Sequence, residues 1–441
     1  MNRLGVWRLP CALVLLCAPT VRAQRSPTSL SAEVQAVYAR AEALYLDLHR
    51  HPELSFHETE TSAKIATELK QLGFDVTTGV GRTGVVAVLK NGAGPTVMLR
   101  TELDALPVTE STGLPYASTV RTKDDAGFDV GVMHACGHDV HMAALVSTAR
   151  IMAGDRGRWR GTLVLIGQPA EETVSGAKAM IVDGLLTRFP RPDFVIAIHD
   201  DPRYPSGTIG YHAGPILANN ESLTIHIYGR GGHGARPETT IDPIVIAARA
   251  VVTLQTIVSR EISPMDAAVV TVGSIHGGTK HNIVPDEVTL QLTVRSFSDQ
   301  IRQHLHSAIE RIVKAEAAAG GATREPSFDW LQPINALVND SALTQRIAGA
   351  LERGLGADRV RNAPPEMGSE DLSEFPIAGV PTLMMRVGAS TPAAVDAATK
   401  GGPALVSLHN ANFFPDREPT LKAAIAAEVL ALRELMPVVQ P

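Results

Sequence analysis

The sequence predicts an α/β protein with a mixed sheet, into which a smaller α+β domain is inserted. Amphipathic helical stretches alternate with short apolar runs of strand length as far as residue 215, which indicates a sheet covered by helices on both faces. From residue 216 to 329 the order becomes β-α-β-β-α-β, the split, ferredoxin-like pattern. The α/β character returns at residue 330. We therefore predict that 24–215 and 330–441 form one domain and that 216–329 form the inserted one.

The individual elements follow from their hydrophobic periodicity. Apolar residues spaced three and four apart predict helices, whereas continuous apolar runs of about eight residues predict buried strands. In the larger domain we predict helices at 31–50, 60–73, 340–355 and 420–436, and strands at 83–90, 95–104, 161–172, 193–200 and 380–390. In the inserted domain we predict strands at 221–229, 266–278, 286–297 and 323–330, and helices at 242–261 and 298–321.

The N-terminus has the three parts of a secretory signal peptide. Arg3 and Arg8 provide a positive start, 11–18 form an apolar core, and 21–23 read as a small-x-small cleavage site. The apolar core is far shorter than the ~20 residues that a membrane-spanning helix needs. We therefore predict a cleaved signal peptide at 1–23 and a secreted, periplasmic protein that begins near Gln24.

Charge and cysteine content narrow the functional classes. The net charge of the 441 residues is −6, so a nucleic-acid or anionic-membrane partner is not expected. Two of the three cysteines lie in the signal peptide, which leaves Cys136 as the only cysteine of the mature chain. One cysteine cannot form an internal disulfide. Cys136 is therefore a buried thiol, half of an intermolecular bridge, or a metal ligand.

Chemistry-bearing residues follow the predicted strands. Glu102 and Asp104, Glu171 and Glu172, and His199 with Asp200 all come at strand ends, where sites of open α/β sheets lie. In the "CGHD" sequence, a thiolate and an imidazole two residues apart can bind a metal ion. Of two adjacent glutamates beside a metal, one can be a ligand while the other acts as a general base. His199 and, much later, His409 are further candidate ligands, whereas His134 and His141 fit supporting roles better.

The inserted domain contributes two further candidates. His233 lies in the glycine-rich turn "GRGGHGARP", whose glycines permit a close approach of the backbone to a ligand. The same stretch is also compatible with a flexible loop that happens to contain a histidine. Asn282 in "HNIVPDE" either caps a turn or binds substrate.

Taken in order, these motifs resemble the aminoacylase/carboxypeptidase metallopeptidase family, in its branch of hippurate hydrolases and auxin-conjugate hydrolases. The resemblance covers nearly all of the predicted mature chain, and the inserted domain lies where that family has its lid. The motifs that carry the resemblance are "LHRHPELSFHETET", "LRTELDALP", "MHACGHDVHMAAL", "GQPAEETVSGAKAMIVDGLL", "GRGGHGARPETTIDPI", "NIVPDE", "GSEDLSEF" and "LHNANFF".

The resemblance implies a site with two divalent metal ions. Its metal ligands would be Cys136, His138, Glu172, His199 and His409. Glu171 matches the catalytic glutamate of the family, and His233 matches a lid histidine that reaches into the active site of a partner subunit. The resemblance also implies a homodimer or higher homo-oligomer formed through the lid. Zinc or manganese suits the donor set best, with cobalt and nickel as further possibilities.

We therefore expect a metal-dependent amidohydrolase in which Glu171 activates a water molecule to cleave the amide bond of N-acyl or N-aroyl amino acids, or of similar small amides. Asn282 and Arg295 are candidate ligands for the substrate carboxylate. A dipeptidase or carboxypeptidase with the same site is one alternative. A non-catalytic periplasmic binding protein on this scaffold is another, although ligation alone would not need Glu171.

Three positions depart from the family pattern. Glu102 stands where aspartate is usual, Glu238 stands where histidine is common, and "HNANF" replaces the usual "HSPxF" around His409. The metal ligands are retained in each case. We therefore expect these departures to affect substrate preference more than the capacity for hydrolysis.

Overall fold

The protein is described by a computed structural model that covers residues 1–2, 29–331 and 333–438. Apart from its first two residues, the predicted signal peptide at 1–23 lies outside the described residues and stays a prediction. The helices are α1 (Leu30–Arg50), α2 (Thr59–Gln71), α3 (His138–Gly154), α4 (Gly176–Val182), α5 (Leu185–Arg188), α6 (Pro243–Thr256), α7 (Asp299–Ala319), α8 (Ser341–Leu355), α9 (Glu374–Ile377), α10 (Pro392–Thr399) and α11 (Arg417–Leu435).

The strands form one large sheet, one sheet of four strands, and three two-stranded pairs. They are β1 (Asp75–Val80), β2 (Gly84–Asn91), β3 (Thr96–Glu102), β4 (Arg121–Lys123), β5 (Asp129–Gly131), β6 (Gly161–Gln168), β7 (Phe194–Pro205), β8 (Ile209–Tyr211), β9 (Gly214–Leu217), β10 (Asn219–Tyr228), β11 (Gly232–His233), β12 (Ala268–Gly277), β13 (Ile283–Val284), β14 (Glu287–Ser296), β15 (Ser327–Trp330), β16 (Leu337–Asn339), β17 (Val360–Asn362) and β18 (Thr382–Ser390).

The large sheet is mixed, as predicted, with the strand order β1-β2-β6-β3-β7-β18-β8-β17. Its four central strands, β6, β3, β7 and β18, run parallel to one another. Antiparallel strands complete the sheet, since β2 pairs in that sense with both β1 and β6, and β8 does so with β18. The carboxyl ends of the four central strands therefore meet at one edge of the sheet.

Helices cover both faces of this sheet because its apolar strands alternate their side chains between two cores. Leu99 of β3 packs into a core shared with α1, α2, α3, α8 and α11. The preceding residue, Met98, packs into the opposite core with residues of α4, α5 and α9. Almost every residue of α3 is buried, so this helix lies in the interior instead of at the surface.

The inserted region has the predicted order β10-α6-β12-β14-α7-β15, and we call it the lid. Its strands form an antiparallel sheet in the order β12-β14-β10-β15. The aliphatic residues of α6 and α7 pack on this sheet in a separate core. The structure thus confirms the predicted fold class, while the predicted boundaries at 216 and 329 stay predictions.

One segment of the lid is unusually apolar. Among the described residues, only 243–261 is long and apolar enough, by length and composition alone, to cross a membrane, with a mean hydropathy of 1.3. Its buried residues, which include Ile246 and Leu254, pack on the lid core. Val245 and Val252 point away from that core and are exposed. The high hydropathy therefore comes from a helix with two apolar faces, one of which is not covered by any described residue.

Candidate metal centre and active site

The centre of the candidate site lies at the carboxyl ends of neighbouring parallel strands. Glu102 is the last residue of β3, and Glu171 follows β6 by three residues. His199 lies within β7, on the other side of β3 from β6. The sheet order therefore brings together the three polar strand ends that the sequence predicted to converge.

Cys136 and His138 enter this site from a tight turn before α3. Gly137 between them has a left-handed conformation with φ of 75°, which favours glycine. A Cβ atom at this position would lie 2.4 Å from the Asp200 carboxylate. The "CGH" sequence therefore turns against Asp200, with the buried Cys136 on one side and His138 at the first residue of the helix.

His409 reaches the same place from a loop that follows α10. Its backbone N–H donates to the Ala135 carbonyl at 2.8 Å, and its own φ is 62°. The loop is anchored further by Phe413, which is buried against Met133 and Ala135. His409 is thus fixed to the segment that carries Cys136, although the two residues lie far apart in the sequence.

The five predicted metal ligands converge in one cluster. Cys136 Sγ lies 3.2 Å from His409 Nε2 and 3.5 Å from His199 Nε2. Glu172 completes the cluster, with one carboxylate oxygen 3.5 Å from His409 Nε2 and the other 3.9 Å from His138 Nε2. Two groups of three potential ligands share Cys136, namely Cys136 with His138 and His199, and Cys136 with Glu172 and His409.

The orientation of the imidazoles suits metal binding. His138 Nδ1–H donates to the Asp104 carbonyl oxygen at 2.8 Å, and His199 Nδ1–H donates to the Asp200 carbonyl oxygen at 2.8 Å. Both Nε2 atoms are consequently left with lone pairs that face the cluster. His138 Nε2 is buried and has no hydrogen-bond partner among the described residues, as is also true of Glu172 Oε1. Such orphaned atoms indicate that a cation belongs between them.

The electrostatics of the cluster lead to the same conclusion. Burial raises the pKa of the Cys136 thiol well above its usual value, and the carboxylates of Glu172 and Glu171 raise it further. Burial likewise raises the pKa of Glu171 well above its usual range, with a further contribution from Glu370. A site that crowds a thiol and several carboxylates in the interior needs positive charge before its ligands can ionise. The residues present therefore fit divalent metal ions.

Glu171 differs from Glu172 in position. One of its carboxylate oxygens lies 3.8 Å from His138 Nε2, and the residue is largely buried at the wall of the cavity described below. Its backbone follows Ala170, which has a left-handed φ of 49°. This placement beside the cluster suits the predicted general base.

The conformation of the Glu171 loop depends on a residue that the sequence did not identify as functional. The carboxylate of Glu58 is buried and accepts the Ala170 N–H at 2.8 Å and the Phe56 N–H at 2.8 Å. It also accepts a hydrogen bond from the Thr83 hydroxyl. Glu58 thereby holds the strained residue that immediately precedes Glu171. The stretch "HETET" contributed only to the resemblance, and no spacing rule links Glu58 to residue 170.

Glu102, the departure from the family pattern, lies behind the metal ligands. Its carboxylate accepts His141 Nδ1–H at 2.8 Å and pairs with Arg100. His141 Nε2 in turn accepts the Asp200 N–H at 2.9 Å. His141 therefore lies between Glu102 and Asp200, a position compatible with its predicted supporting role. For His134, neither ring nitrogen has a partner in the part of the chain that the structure describes, and burial lowers its pKa to about 4.

A cavity of about 330 Å³ opens directly onto this cluster. The predicted substrate ligand Arg295 lines it, and its Nη1 lies 3.4 Å from the Ser369 hydroxyl. The remaining wall combines aliphatic side chains with a few polar ones. The lining residues are Cys136, Glu171, Glu172, Val174, His199, Leu217, Asn220, Arg295, Ile334, Glu366, Gly368, Ser369, Glu370, Met384, Arg386, Leu408 and His409.

The other two predicted site residues lie elsewhere in the single chain. His233 is on β11 and Asn282 directly precedes its partner strand β13, at an exposed tip of the lid. Neither residue lines the cavity. The recorded hydrogen bond of the His233 ring is local, since its Nδ1 accepts the Ala235 N–H at 3.0 Å. Within one chain, His233 and Asn282 therefore do not reach the cavity in which they were predicted to act.

Comparison with known proteins agrees with this geometry. Residues 98–400 match the family described as peptidase family M20/M25/M40. A hippurate hydrolase from Campylobacter jejuni is 36% identical over 348 residues, which are 79% of this chain and 88% of that protein. A thermostable carboxypeptidase from Saccharolobus solfataricus is 38% identical over 333 residues, covering 74% of this chain and 80% of the relative.

A solved structure is similar over nearly the whole length. It is a Bacillus subtilis protein described as a dinuclear metal-binding peptidase from the M20 family, with a TM-score of 0.75 and 30% identity. The superposition covers 91% of this chain and 99% of that one. The similarity therefore includes both the large sheet and the lid.

Proposed function

The chain belongs to peptidase family M20/M25/M40 and is a metal-dependent hydrolase of amide or peptide bonds, and from this premise we propose that its substrates are small N-acyl or N-aroyl amino acids. The observation that carries the proposal is Arg295. Its guanidinium lines the same cavity as Glu171 and the metal ligands, and no carboxylate of the described residues pairs with it. Its Nη1 donates to the Met367 carbonyl oxygen at 2.5 Å, which leaves the remaining N–H groups of the guanidinium, without a carboxylate partner, to bind the carboxylate of an amino acid.

The roles of the residues follow from their positions. Cys136, His138, Glu172, His199 and His409 would hold two divalent ions, for which zinc and manganese suit this donor set best. When bound, such ions activate water and polarise the substrate carbonyl. Glu171 takes a proton from the attacking water and delivers it to the departing nitrogen. Burial and the neighbouring Glu370 raise the pKa of Glu171, which favours the protonated form that delivers the proton to the nitrogen.

We also propose that the enzyme is a dimer formed through the lid, in which His233 of one subunit completes the site of the other and stabilises the oxyanion. Val245 and Val252 form an exposed apolar face on α6, the helix that packs on the lid sheet. Beside that face, β12 is an edge strand whose outer backbone groups are free to pair. His233 is exposed and therefore accessible to a second copy.

We further propose that this enzyme is exported to the periplasm. The proposal is supported by residues 1–23, which combine a charged, an apolar and a small-residue segment in the order of a signal peptide.

The substitution Glu171→Gln tests the proposed function. It keeps the size of the side chain but removes the base, so kcat for N-acetyl and N-benzoyl amino acids should fall by about 10³-fold. Metal content, measured by atomic emission, should stay at the wild-type level. The adjacent Glu172→Gln is the matched control and should lower metal content.

Two results would contradict this assignment. Turnover by Glu171→Gln at the wild-type rate would exclude Glu171 as the base. A wild-type enzyme, loaded with zinc or manganese, that hydrolyses dipeptides but no N-acyl amino acid would show that the substrates are peptides.

A further inference from the structure

The cavity contains a second arginine, Arg386, that none of the proposed steps uses. Arg386 lies on β18 and is in register with His199 on the adjacent parallel strand β7. Residues in register on neighbouring strands direct their side chains to the same face of a sheet. The Arg386 side chain is therefore beside a metal ligand, and it lines the cavity although only 8% of the residue is exposed.

Arg386 belongs to a group of four charged residues, of which Arg386 and Glu366 line the cavity. Arg203 forms two contacts with the Asp201 carboxylate, at 2.9 and 2.6 Å, and one with Glu366 at 2.6 Å. Arg386 contacts the same Glu366 oxygen at 2.7 Å and lies 3.7 Å from Asp201. Arg203 therefore pairs closely with both carboxylates, whereas Arg386 is close to Glu366 only.

The contact between Arg386 and Glu366 is an ion pair without a well-aligned hydrogen bond. The Nη2 atom of Arg386 is buried and has no hydrogen-bond partner in the described part of the chain. Because Nη2 is closed off from solvent beside the Glu366 carboxylate, a bound substrate cannot reach this atom directly. The other side-chain N–H groups of Arg386 make no hydrogen bond with the described residues, and since Arg386 lines the cavity, a bound substrate can accept hydrogen bonds from them.

The remaining wall and the volume of the cavity limit which substrates can bring an acceptor to Arg386. Five aliphatic or thioether side chains line the cavity, namely Val174, Leu217, Ile334, Met384 and Leu408, and no phenyl, phenol or indole ring of the described residues does so. The volume of about 330 Å³ is at the lower end of the range for small-molecule sites. A substrate with short aliphatic segments suits such a cavity better than one with a large aromatic acyl group.

We propose that Arg386 binds a second anionic group of the substrate, in addition to the carboxylate held by Arg295, so that the enzyme prefers N-acyl amino acids with two carboxylates. This inference rests on the proposed function and names its substrate class. The second carboxylate can belong to the amino-acid side chain or to the acyl group. A guanidinium offers both kinds of carboxylate the same pair of N–H donors.

Two matched pairs of substrates test the inference on the metal-loaded enzyme. N-acetyl-glutamate and N-acetyl-glutamine differ only in the charge of the amino-acid side chain, and N-succinyl-leucine and N-succinamoyl-leucine differ only in the charge of the acyl group. We expect kcat/KM to favour the anionic member of one pair by about 10-fold to 100-fold, as charge-assisted hydrogen bonds typically do. The pair that shows the preference identifies the position of the second carboxylate.

Variants separate a contact with Arg386 from a general effect of charge. Arg386→Met should reduce the preference to a ratio near 1, mainly through KM, and Arg386→Lys should retain part of it. Arg203→Met is the matched control, because it removes the other arginine of the group, which does not itself line the cavity. It should keep the preference.

Three outcomes would overturn the inference. The first is equal kcat/KM within both pairs for the wild-type enzyme, which leaves the proposed function intact. The second is a preference that survives Arg386→Met, and the third is a preference that Arg203→Met removes as completely as Arg386→Met does. If none of the four substrates or other N-acyl amino acids is hydrolysed, the proposed function itself is wrong, and the inference with it.

Discussion

The large-sheet region and the lid differ in where they keep their charged side chains. Arg100, Glu102 and Asp104 of the large region are completely buried around the metal ligands. The core of the lid is aliphatic throughout, and its predicted catalytic residue, His233, is exposed. The large region thus has its candidate site arranged inside one chain, whereas the lid has the side chain that is predicted to be catalytic at its surface.

This difference has a physical reason. Metal ligands and a general base act most strongly where water is excluded, and so the large region must bury charges and compensate them with one another. A lid residue that acts on a partner subunit has to remain accessible until the subunits assemble. Substitutions in the two regions should therefore have different effects. Those of buried charges in the large region should lower the stability of the fold, whereas those at the exposed tip of the lid should lower the activity of the assembled enzyme.

The largest effect on stability is expected for Arg100→Met. The Arg100 guanidinium is buried and contacts Glu102, Glu370 at 2.8 Å and Asp371 at 3.1 Å. Without it, three buried carboxylates lose their shared cation, which should cost on the order of 3–5 kcal/mol. Urea unfolding followed by tryptophan fluorescence, to which Trp159 in the core of the large region contributes, measures the change.

The matched control is Arg311→Met in the lid. Arg311 is exposed and pairs with Glu261, so its replacement should change the free energy of unfolding by less than about 0.5 kcal/mol. If the two variants unfolded at the same urea concentration, the buried charges of the large region would not be coupled as the structure indicates.

Much of the fold could be predicted because most elements have a simple pattern. The helix 298–321 was predicted from its amphipathic period, and it appears as α7. By contrast, α3 had no predicted bounds, because a helix buried on nearly all sides lacks that period. The pairing of β18 with β7 also could not be predicted from local patterns, since the two strands are separated by the whole lid.

The site shows the same limit. The polar residues after β3, β6 and β7 were identified because parallel strands bring their ends together. The role of Glu58 depends on a contact with Ala170, 112 residues away, for which the sequence offers no rule. Arg100 and Arg386 did leave a signal, because each is a charged residue inside an otherwise apolar strand. A buried arginine in such a run indicates carboxylates or a ligand nearby.

Substitution of His233 tests whether the lid acts on a partner subunit. His233→Ala should lower kcat by about 10²-fold, because one oxyanion donor is lost, without changing metal content. Mixing this variant with Glu171→Gln then separates action within a subunit from action between subunits. In a mixed dimer, one site contains an intact Glu171 and receives the intact His233 of the other subunit. After random exchange, about a quarter of the wild-type rate should return, since half of the dimers are mixed and each has one complete site.

The smallest expected effect concerns Glu428 on α11, a buried carboxyl group of the large region. Burial raises its pKa from 4.5 to about 8, and only one of its oxygens is hydrogen-bonded, to the Thr148 hydroxyl at 2.6 Å. Since the folded state holds the proton more tightly than the unfolded state, stability is lost as the pH rises from 4.5 to 8. Above pH 8 the loss is complete. Glu428→Gln removes this titration and should stabilise the protein by about 2 kcal/mol at pH 8, but not at pH 4.5.

Thermal unfolding at a series of pH values measures this difference, and the lid again provides the contrast. Glu316 of the lid pairs with Arg249 at 2.8 Å and accepts the Thr253 hydroxyl, so Glu316→Gln removes an ion pair and should destabilise slightly. The Glu-to-Gln substitution should therefore stabilise the protein at position 428 and destabilise it at position 316. The reason is that Glu316 is paired with an arginine, whereas Glu428 has no such partner among the described residues. If Glu428→Gln lowered the melting temperature at pH 8, the Glu428 carboxylate would have to be stabilised by a positive partner, and the large region would bury one more compensated charge.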